Sequence, residues 1–399
     1  MKVAFVVESF DAAEDARGGV RLSVRKQADI LSRRHEVVVI APHKVFPPLG
    51  RYSSMRRSRG TWPGFRNREG TLRVYRPLMP HLPVLGNVLE PVQLGLFVTV
   101  VCGLLESGVS LIHGHRCYPA GFAAGLAGQL LRLPVVLTVY GSDVNAGLDK
   151  NAVGRWVSFA TRQSLRRATA VIAVSRALAE RASAVRAGAG TTRVVPSGVD
   201  LSELGLVSKE GARVKLGAPP GARLVLFAAN LVPVKDPITM LRAFGRLKSR
   251  RSDAVLAVLG TGELERAVGD ECRSLGLADS VMFLGRRPRQ EVPLWLAASD
   301  VVALSSTDEG CPMIALEALA SGRPFVGTAV GGLPDVVPDG AGILVEPRDP
   351  EALAAALDEA LGRTWDEKAL AAHGRRFSWE SAVAGVEAVY AGVGGGKAR

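Results

Sequence analysis

The sequence predicts an α/β protein made of two successive doubly wound domains. Short apolar runs alternate with helical stretches along nearly the whole chain. That is the rhythm of strand–helix–strand units, which assemble into parallel sheets covered on both faces. The rhythm breaks once, after Asp200, where residues 201–222 mix Ser, Gly, Lys and Pro-Pro-Gly as a linker does, and then restarts. The length agrees: 399 residues, at roughly 100–200 per domain, make two domains, and either half is long enough to bury a core.

In the first half the expected strands are Val3–Val7, Glu36–Ile40, Leu72–Tyr75, Leu111–His113, Val135–Val139, Ala170–Val174 and Arg193–Val195. Helices are expected at Gly19–Arg34, Ala120–Leu131, Gly154–Arg167 and Arg176–Ala187. In the second half the strands are Leu224–Ala228, Ala254–Leu259, Val281–Leu284, Val301–Leu304, Pro324–Val326 and Ile343–Val345. The helices there are Ile238–Lys248, Glu263–Leu275, Val292–Ala298, Met313–Ala320 and Pro350–Leu361. Sheets of this kind bind ligands beyond the carboxyl ends of their strands, so two domains facing by those ends would enclose one site in a cleft.

Composition narrows the class. The chain is 47% hydrophobic and 22% charged, globular rather than disordered. No signal peptide is expected, because the apolar run Val3–Val7 ends at Glu8 and is too short for one. The apolar segment Pro91–Leu105 contains Gln93, Gly95, Thr99 and Gly103. It is shorter than the roughly 20 residues of a membrane-spanning helix and reads as a buried helix. Cys102, Cys117, Cys272 and Cys311 form no C-x-x-C pair, so reduced thiols and a cytoplasmic location are expected. Residues 1–200 hold 27 Lys+Arg against 13 Asp+Glu, a net +14, and residues 201–399 hold 23 against 25, a net −2. The excess peaks at Arg51, Arg56, Arg57, Arg59, Arg66, Arg68, Arg73 and Arg76, opposed locally only by Glu69. Such a patch attracts phosphate-bearing partners or the anionic inner face of a cell membrane; a solvated Arg-rich loop is the plainer alternative. No nucleic-acid-binding module accompanies it.

The most informative stretch runs from Ser306 to Pro324: S-T-D-E-G-C-P-M-I-A-L-E-A-L-A-S-G-R-P. A strand ends before it, and a helix starts near Pro312, where the missing proline N–H is not needed. The free N–H groups of that helix start favour a phosphate. Glu309 precedes the helix and Glu317 lies inside it. Two carboxylates beside an apolar helix need partners, which a polyhydroxylated ligand would supply. The residues alone leave open a capping acid plus a surface acid.

This stretch resembles the E-G-x-P-x-x-x-x-E-A-x-A-x-G-x-P motif of family 4 glycosyltransferases, retaining enzymes of the GT-B fold with two Rossmann-like domains facing across a cleft. The likeness extends through Val330–Asp335, Val195–Asp200, Leu231–Pro237, Gly260-Thr-Gly262-Glu263 and Phe283–Gly285. In the first half it covers Gly18-Gly19, His113-Gly-His115, Tyr118–Gly121 and Thr138–Asp143. Phe377-Ser-Trp379 matches the segment that crosses back onto the first domain in this family. The resemblance thus implies an acceptor-binding domain at 1–200, a nucleotide-sugar-binding domain at 201–376 and a returning helix at 377–399.

The resemblance also implies roles. Glu309 would contact donor-sugar hydroxyls and Glu317 the ribose, with the backbone of Gly310, Cys311, Pro312 and Met313 near the sugar and diphosphate. Gly262 belongs to the same donor site. Lys235 matches the lysine of the family's G-R-x-x-x-x-K stretch, whose two cations hold the diphosphate. Asn230 stands where the arginine is usual, and Ala229 where the glycine is. An Asn donates a hydrogen bond but brings no charge, so either Lys235 suffices or another cation helps. Gly18 and Gly19 let backbone approach a ligand closely at a helix start, and in the family this loop faces the diphosphate. Tyr140 replaces a histidine found in many relatives and can only position. His115 and Asp143 could contact donor or acceptor; a structural histidine is the alternative.

No H-E-x-x-H, G-x-S-x-G, full P-loop or D-x-D occurs, so no metal or other cofactor is expected. The resulting expectation is a retaining hexosyl- or N-acetylhexosaminyl-transferase that uses a nucleoside diphosphate sugar, UDP-linked by family frequency. The acceptor would be a glycan, a lipid-linked sugar or a small molecule, with no nucleic acid. A GT-B-fold sugar-nucleotide 2-epimerase and a non-catalytic sugar-nucleotide-binding protein are the alternatives.

Overall fold

The computed structural model describes residues 1–10, 18–45, 64–80, 85–141, 144, 151–187, 190–205, 207–219 and 221–394. The chain divides into two compact units, Met1–Pro196 with Ala382–Arg399, and Ser197–Ser381.

The first unit contains β1 (Lys2–Val6), β2 (Glu36–Ile40), β3 (His43–Val45), β4 (Arg66–Glu69), β5 (Leu72–Tyr75), β6 (Leu78–Pro80), β7 (Leu111–His115), β8 (Val135–Val139), β9 (Ala170–Ala173) and β10 (Thr191–Val194). Eight of these form one sheet in the order β10-β9-β8-β7-β1-β2-β5-β4. Only β4 runs antiparallel, against β5. The short β3 and β6 pair separately. The central strands are buried on both faces, which is why they read as unbroken Val/Ile/Leu runs instead of alternating. The sheet winds outward from β1 in both directions, so its topological switch lies between β1 and β7.

The helix Trp379–Gly394 supplies the last element of the first unit, from Ala382 onward. Its Tyr390 hydroxyl lies 2.6 Å from His113 Nδ1 on β7. Its Glu387 takes Arg34 at 2.8 Å and His35 at 3.0 Å. A second buried knot joins Glu106 to Lys2 at 2.7 Å, Arg73 at 2.9 Å and the Tyr75 hydroxyl at 2.7 Å.

The second unit contains β11 (Arg223–Ala228), β12 (Ala254–Leu259), β13 (Val281–Gly285), β14 (Val301–Ala303), β15 (Phe325–Thr328) and β16 (Gly342–Val345). The order is β13-β12-β11-β14-β15-β16, and every pairing is parallel. Within this unit that order is third, second, first, fourth, fifth, sixth, the Rossmann arrangement, with its switch between β11 and β14.

Three expectations need correction. The stretch 201–222 is not only a linker: Lys209–Leu216 is helical, capped by Ser208 and tied to the sheet by Arg213 and Asp300 at 2.7 Å. Its eight residues fell below the length at which periodicity is visible. The apolar segment 91–105 is also longer than expected. A helix runs Leu85–Val100 and continues as a π turn through Leu105. Residues Val88–Leu105 are long and apolar enough to cross a membrane, and only 39% of that window is buried. One face packs on the helix Phe122–Leu131, with Gly95 against Leu126, while Leu89, Leu96, Val100 and Leu104 are exposed. The basic patch, finally, is opposed by more than Glu69. Four of its arginines, 51, 56, 57 and 59, lie outside the described residues. Of the rest, Arg73 pairs with Glu36 and Glu106, and Arg76 with Glu69. Glu36 on β2 and Glu106 after the π turn are remote in sequence, which a local count cannot see.

Tyr390→Phe removes the partner of a fully buried histidine nitrogen. The loss should be about 1–3 kcal/mol, read as an earlier urea transition of the first unit; an unchanged midpoint would show that the contact contributes nothing.

Candidate active site

In the second unit the site forms where β11 and β14 end side by side. After β11 the backbone is pinned by its neighbours: Ala229 N–H donates to Leu259 O, Leu231 N–H to Thr261 O, and Leu264 N–H to Leu231 O, each at 3.0 Å. Gly262 is required here because a side chain would overlap the Leu231 carbonyl. A single turn, Pro233–Lys235, follows, and Asp236 then caps the helix Pro237–Arg250. Asn230 is exposed on this loop, whereas Lys235 is half-buried.

The loop after β14 meets it. Thr307 N–H donates to Val234 O at 2.8 Å, and the buried Ser305 hydroxyl donates to Asp236 O at 2.8 Å. These bonds bring Lys235 Nζ to 2.5 Å from Glu309 Oε1. The buried Ser306 hydroxyl donates to the same oxygen at 2.6 Å. Oε1 is thus saturated, while Oε2 has no hydrogen-bond partner among the described residues. Glu309 is 7% exposed. Behind it Gly331, at φ 55°, presses its backbone on the Glu309 carbonyl so closely that any Cβ would overlap it.

The helix Met313–Ala320 starts at Pro312 with no side-chain cap. Neither acid is therefore a capping acid, and Glu317, also 7% exposed, is no surface acid. Glu317 accepts from Arg289 at 2.9 Å. Gly310 and Cys311 complete the turn. Burial pushes the Cys311 thiol up to about 12, so it stays protonated and inert. Lys235, Glu309, Asn230, Gly262, Gly310, Cys311, Pro312, Met313 and Glu317 all belong to this unit. Ser306 and Arg289 were missed from the sequence, since a serine on a loop and one arginine among Arg286, Arg287 and Arg289 carry no distinguishing pattern.

In the first unit Gly18, Gly19 and His115 meet at the switch between β1 and β7. They line a cavity of about 300 Å³ with Val7, Glu8, Arg21 and Arg116. His113 and His115 sit two residues apart on β7, hence on the same face. His113 is satisfied at both nitrogens, by Tyr390 at 2.6 Å and Thr138 at 2.7 Å. His115 Nδ1 meets the Tyr140 hydroxyl at 2.9 Å, and its buried Nε2 has no hydrogen-bond partner among the described residues. Burial holds His113 well below its ordinary range, aided by neighbouring His115, and burial takes His115 down to about 3. Both rings are neutral at physiological pH. Asp143 lies outside the described residues.

The family description "Glycosyl transferase 4-like domain" matches residues 18–198, and "Glycosyl transferases group 1" matches residues 208–376. The chain belongs to this glycosyltransferase family. A D-inositol 3-phosphate glycosyltransferase of Corynebacterium jeikeium is 29% identical over 94% of this chain and 91% of its own length. One from Streptosporangium roseum is 36% identical over 52% of this chain, but the match spans about half of that relative's length. A putative teichuronic acid biosynthesis glycosyltransferase of Bacillus subtilis is 27% identical over 90% of this chain and 88% of its own length. Among solved structures, sucrose-phosphate synthase from Thermosynechococcus elongatus superposes with a TM-score of 0.74 at 21% identity, covering 99% of this chain and all of that one. Anabaena HepE in complex with UDP gives 0.73 at 19% identity over 98% of this chain and all of its own. These likenesses establish the GT-B fold of this glycosyltransferase.

The two neutral histidines set a pH dependence. Unfolding frees them to take up protons below their ordinary value of 6.5, so the unfolded state binds more protons there and stability falls as pH drops. Each contributes up to about 1.4 kcal/mol per pH unit, for His115 over the window from 6.5 down to about 3. Urea unfolding across that range should be less pH-dependent in His115→Asn than in the unchanged protein; equal slopes would mean that His115 is charged when folded.

Proposed function

We propose that this glycosyltransferase takes a nucleoside diphosphate sugar into the second unit and transfers the sugar with retention, without a metal ion. The observation that carries the reading is the Lys235–Glu309–Ser306 cluster at the β11/β14 switch. Lys235 is a compact positive charge for the leaving diphosphate. The uncapped start of the helix at Pro312–Met313 adds oriented N–H groups for the same anion. Glu309 Oε1 orients the ammonium, and Oε2 is open to a hydroxyl of the donor sugar. Glu317, already held by Arg289, suits a ribose diol. Protein groups thus supply the charge stabilisation that a metal would otherwise give.

In the proposed step the bond between the anomeric carbon and the diphosphate oxygen breaks. The acceptor oxygen bonds to the same face of that carbon. The departing phosphate oxygen takes the acceptor proton, and UDP leaves. UDP is the carrier we assign; HepE, a protein of the same fold, is solved with UDP and with UDP-glucose, which supports the choice. The transferred group we assign is hexosyl or N-acetylhexosaminyl, and the acceptor a glycan, a lipid-linked sugar or a small molecule, as in polysaccharide biosynthesis; relatives named for D-inositol 3-phosphate and for teichuronic acid biosynthesis support a small-molecule or glycan acceptor. A cytoplasmic site of action, with the Arg51–Arg76 stretch against an anionic membrane face, completes the reading.

Thermal-shift titration with UDP-, GDP-, ADP- and dTDP-sugars in EDTA tests the donor. A dose-dependent rise of Tm with the UDP sugars is expected. A rise that needs added magnesium would contradict metal independence, and no rise with any of them would favour a non-catalytic protein. Lys235→Ala should lower kcat about 10²–10³-fold; near-normal turnover would remove Lys235 from the chemistry, and a product of inverted anomeric configuration would exclude retention.

A further inference from the structure

The helix that begins at Leu85 has one long apolar face that the described residues leave uncovered. From Val88 to Leu105 the mean hydropathy is 2.0, and 39% of the stretch is buried. Leu94, Val98 and Val101 belong to the core of the first unit, and Gly95 packs against Leu126. Leu89, Leu96, Val100 and Leu104 are instead 40–79% exposed. They follow one another at intervals of seven, four and four residues, which places them on one stripe of a helix. The single acid of the stretch, Glu90, is off that stripe, buried and paired with Lys44 at 2.5 Å. One exposed leucine is ordinary, whereas a contiguous row marks a surface that meets something apolar.

The charge beside the row decides what that is. The helix Phe122–Leu131 touches both this helix and the helix Ala152–Arg167, and those two touch each other. The helix Ala152–Arg167 contains no acid. Arg155, Phe159, Arg162 and Arg166 are exposed on it at intervals of four, three and four, again a single face. Among the described residues no carboxylate pairs with these three arginines; Arg166 Nε donates to the Val185 carbonyl at 3.4 Å. The Trp156 ring lies 5.6 Å from that of Phe159. The next helix, Arg176–Arg186, sets Glu180 against exposed Arg176 and Arg181, so the surface stays positive.

An apolar row beside unpaired arginines and an aromatic pair matches the boundary of an anionic bilayer. There leucines enter the acyl region while arginines meet headgroup phosphates. A second copy of the chain is a poorer fit. A two-fold contact would bring together the same faces of two units whose residues 1–200 each carry a net +14. A spanning helix is poorer still, because crossing a bilayer would take Leu94, Val98 and Val101 out of the core and Glu90 away from Lys44.

We propose that the first unit docks on anionic lipid bilayers through this face. Leu96, Val100 and Leu104 enter the interface, Arg155, Arg162 and Arg166 bind lipid phosphates, and the apolar helix lies in the membrane plane. The inference rests on the reading that the enzyme works at an anionic membrane face, and it assigns the contact to these two helices in addition to the Arg51–Arg76 stretch.

Flotation of the full chain with vesicles tests it, using equal parts phosphatidylcholine and phosphatidylglycerol, or phosphatidylcholine alone. The unchanged protein should float with the anionic vesicles and much less with the neutral ones. The double change Leu96→Gln with Leu104→Gln should weaken binding at least about tenfold. Arg155→Gln with Arg162→Gln should weaken it about twentyfold, at about fivefold for each arginine. Arg266→Gln, exposed in the second unit, should change nothing. All of these side chains are exposed, so each variant should keep its Tm and its response to the donor sugar nucleotide. Full binding to anionic vesicles in either double variant would overturn the inference and leave the membrane reading to Arg51–Arg76. Flotation indifferent to phosphatidylglycerol, or none at all, would overturn the membrane reading itself and the inference with it. A lipid-free dimer in sedimentation velocity that the leucine variant splits would give the face to a second copy and overturn the docking.

Discussion

A lysine ammonium held 2.5 Å from a nearly buried carboxylate, at the ends of two adjacent parallel strands, is the interaction on which the proposed donor site depends. Such a pair is a poor source of stability. Desolvation of both ions offsets most of their attraction, and apolar residues of similar volume would serve the fold as well or better. Its surroundings are nevertheless built to keep it. Ser306 saturates the same carboxylate oxygen, Thr328 holds the Ser306 carbonyl at 2.6 Å, and Gly331 backs the Glu309 peptide. The loop after β11 is fastened to that after β12 by backbone hydrogen bonds, and to that after β14 by the Thr307 N–H and the Ser305 hydroxyl. This rigidity fixes one cation and leaves one carboxylate oxygen open, an arrangement suited to a ligand with a diphosphate at one end and hydroxyls at the other.

The sheets were legible in the sequence because parallel strands buried on both faces are short, apolar and bounded by turn residues. Strands β2, β5, β8 and β12 coincide with the apolar runs that predict them. What escaped was polar or short. Arg66–Glu69 forms β4 although its residues are R-N-R-E, because an edge strand is stabilised by backbone pairing with β5 and needs no apolar face. His43–Val45 and Leu78–Pro80 are three residues each. The apolar segment that predicts the long helix begins at Pro91, yet the proline lies inside Leu85–Val100.

The site was legible as a set of positions and illegible as a set of partners. Glu309, Glu317 and Lys235 stand out through motif spacing. The pairing of Glu309 with Lys235, 74 residues earlier, and of Glu317 with Arg289 follows from the strand order and could not be read locally. The same holds in the first unit. His113 and His115 look equivalent in sequence, but Tyr390 at the far end of the chain satisfies only one of them. One histidine is thereby structural and the other keeps an open nitrogen, a distinction that exists only once the last helix has folded onto β7.

The central claim is that Lys235 and Glu309 act as one unit on the donor. A double-mutant cycle of Lys235→Ala and Glu309→Gln, read as kcat/KM for the donor sugar nucleotide, tests it most directly. Residues that act as a unit are strongly non-additive. The account predicts that each single change costs nearly as much as both together. Losses that simply add, or a Glu309→Gln variant with unchanged kcat/KM, would contradict it.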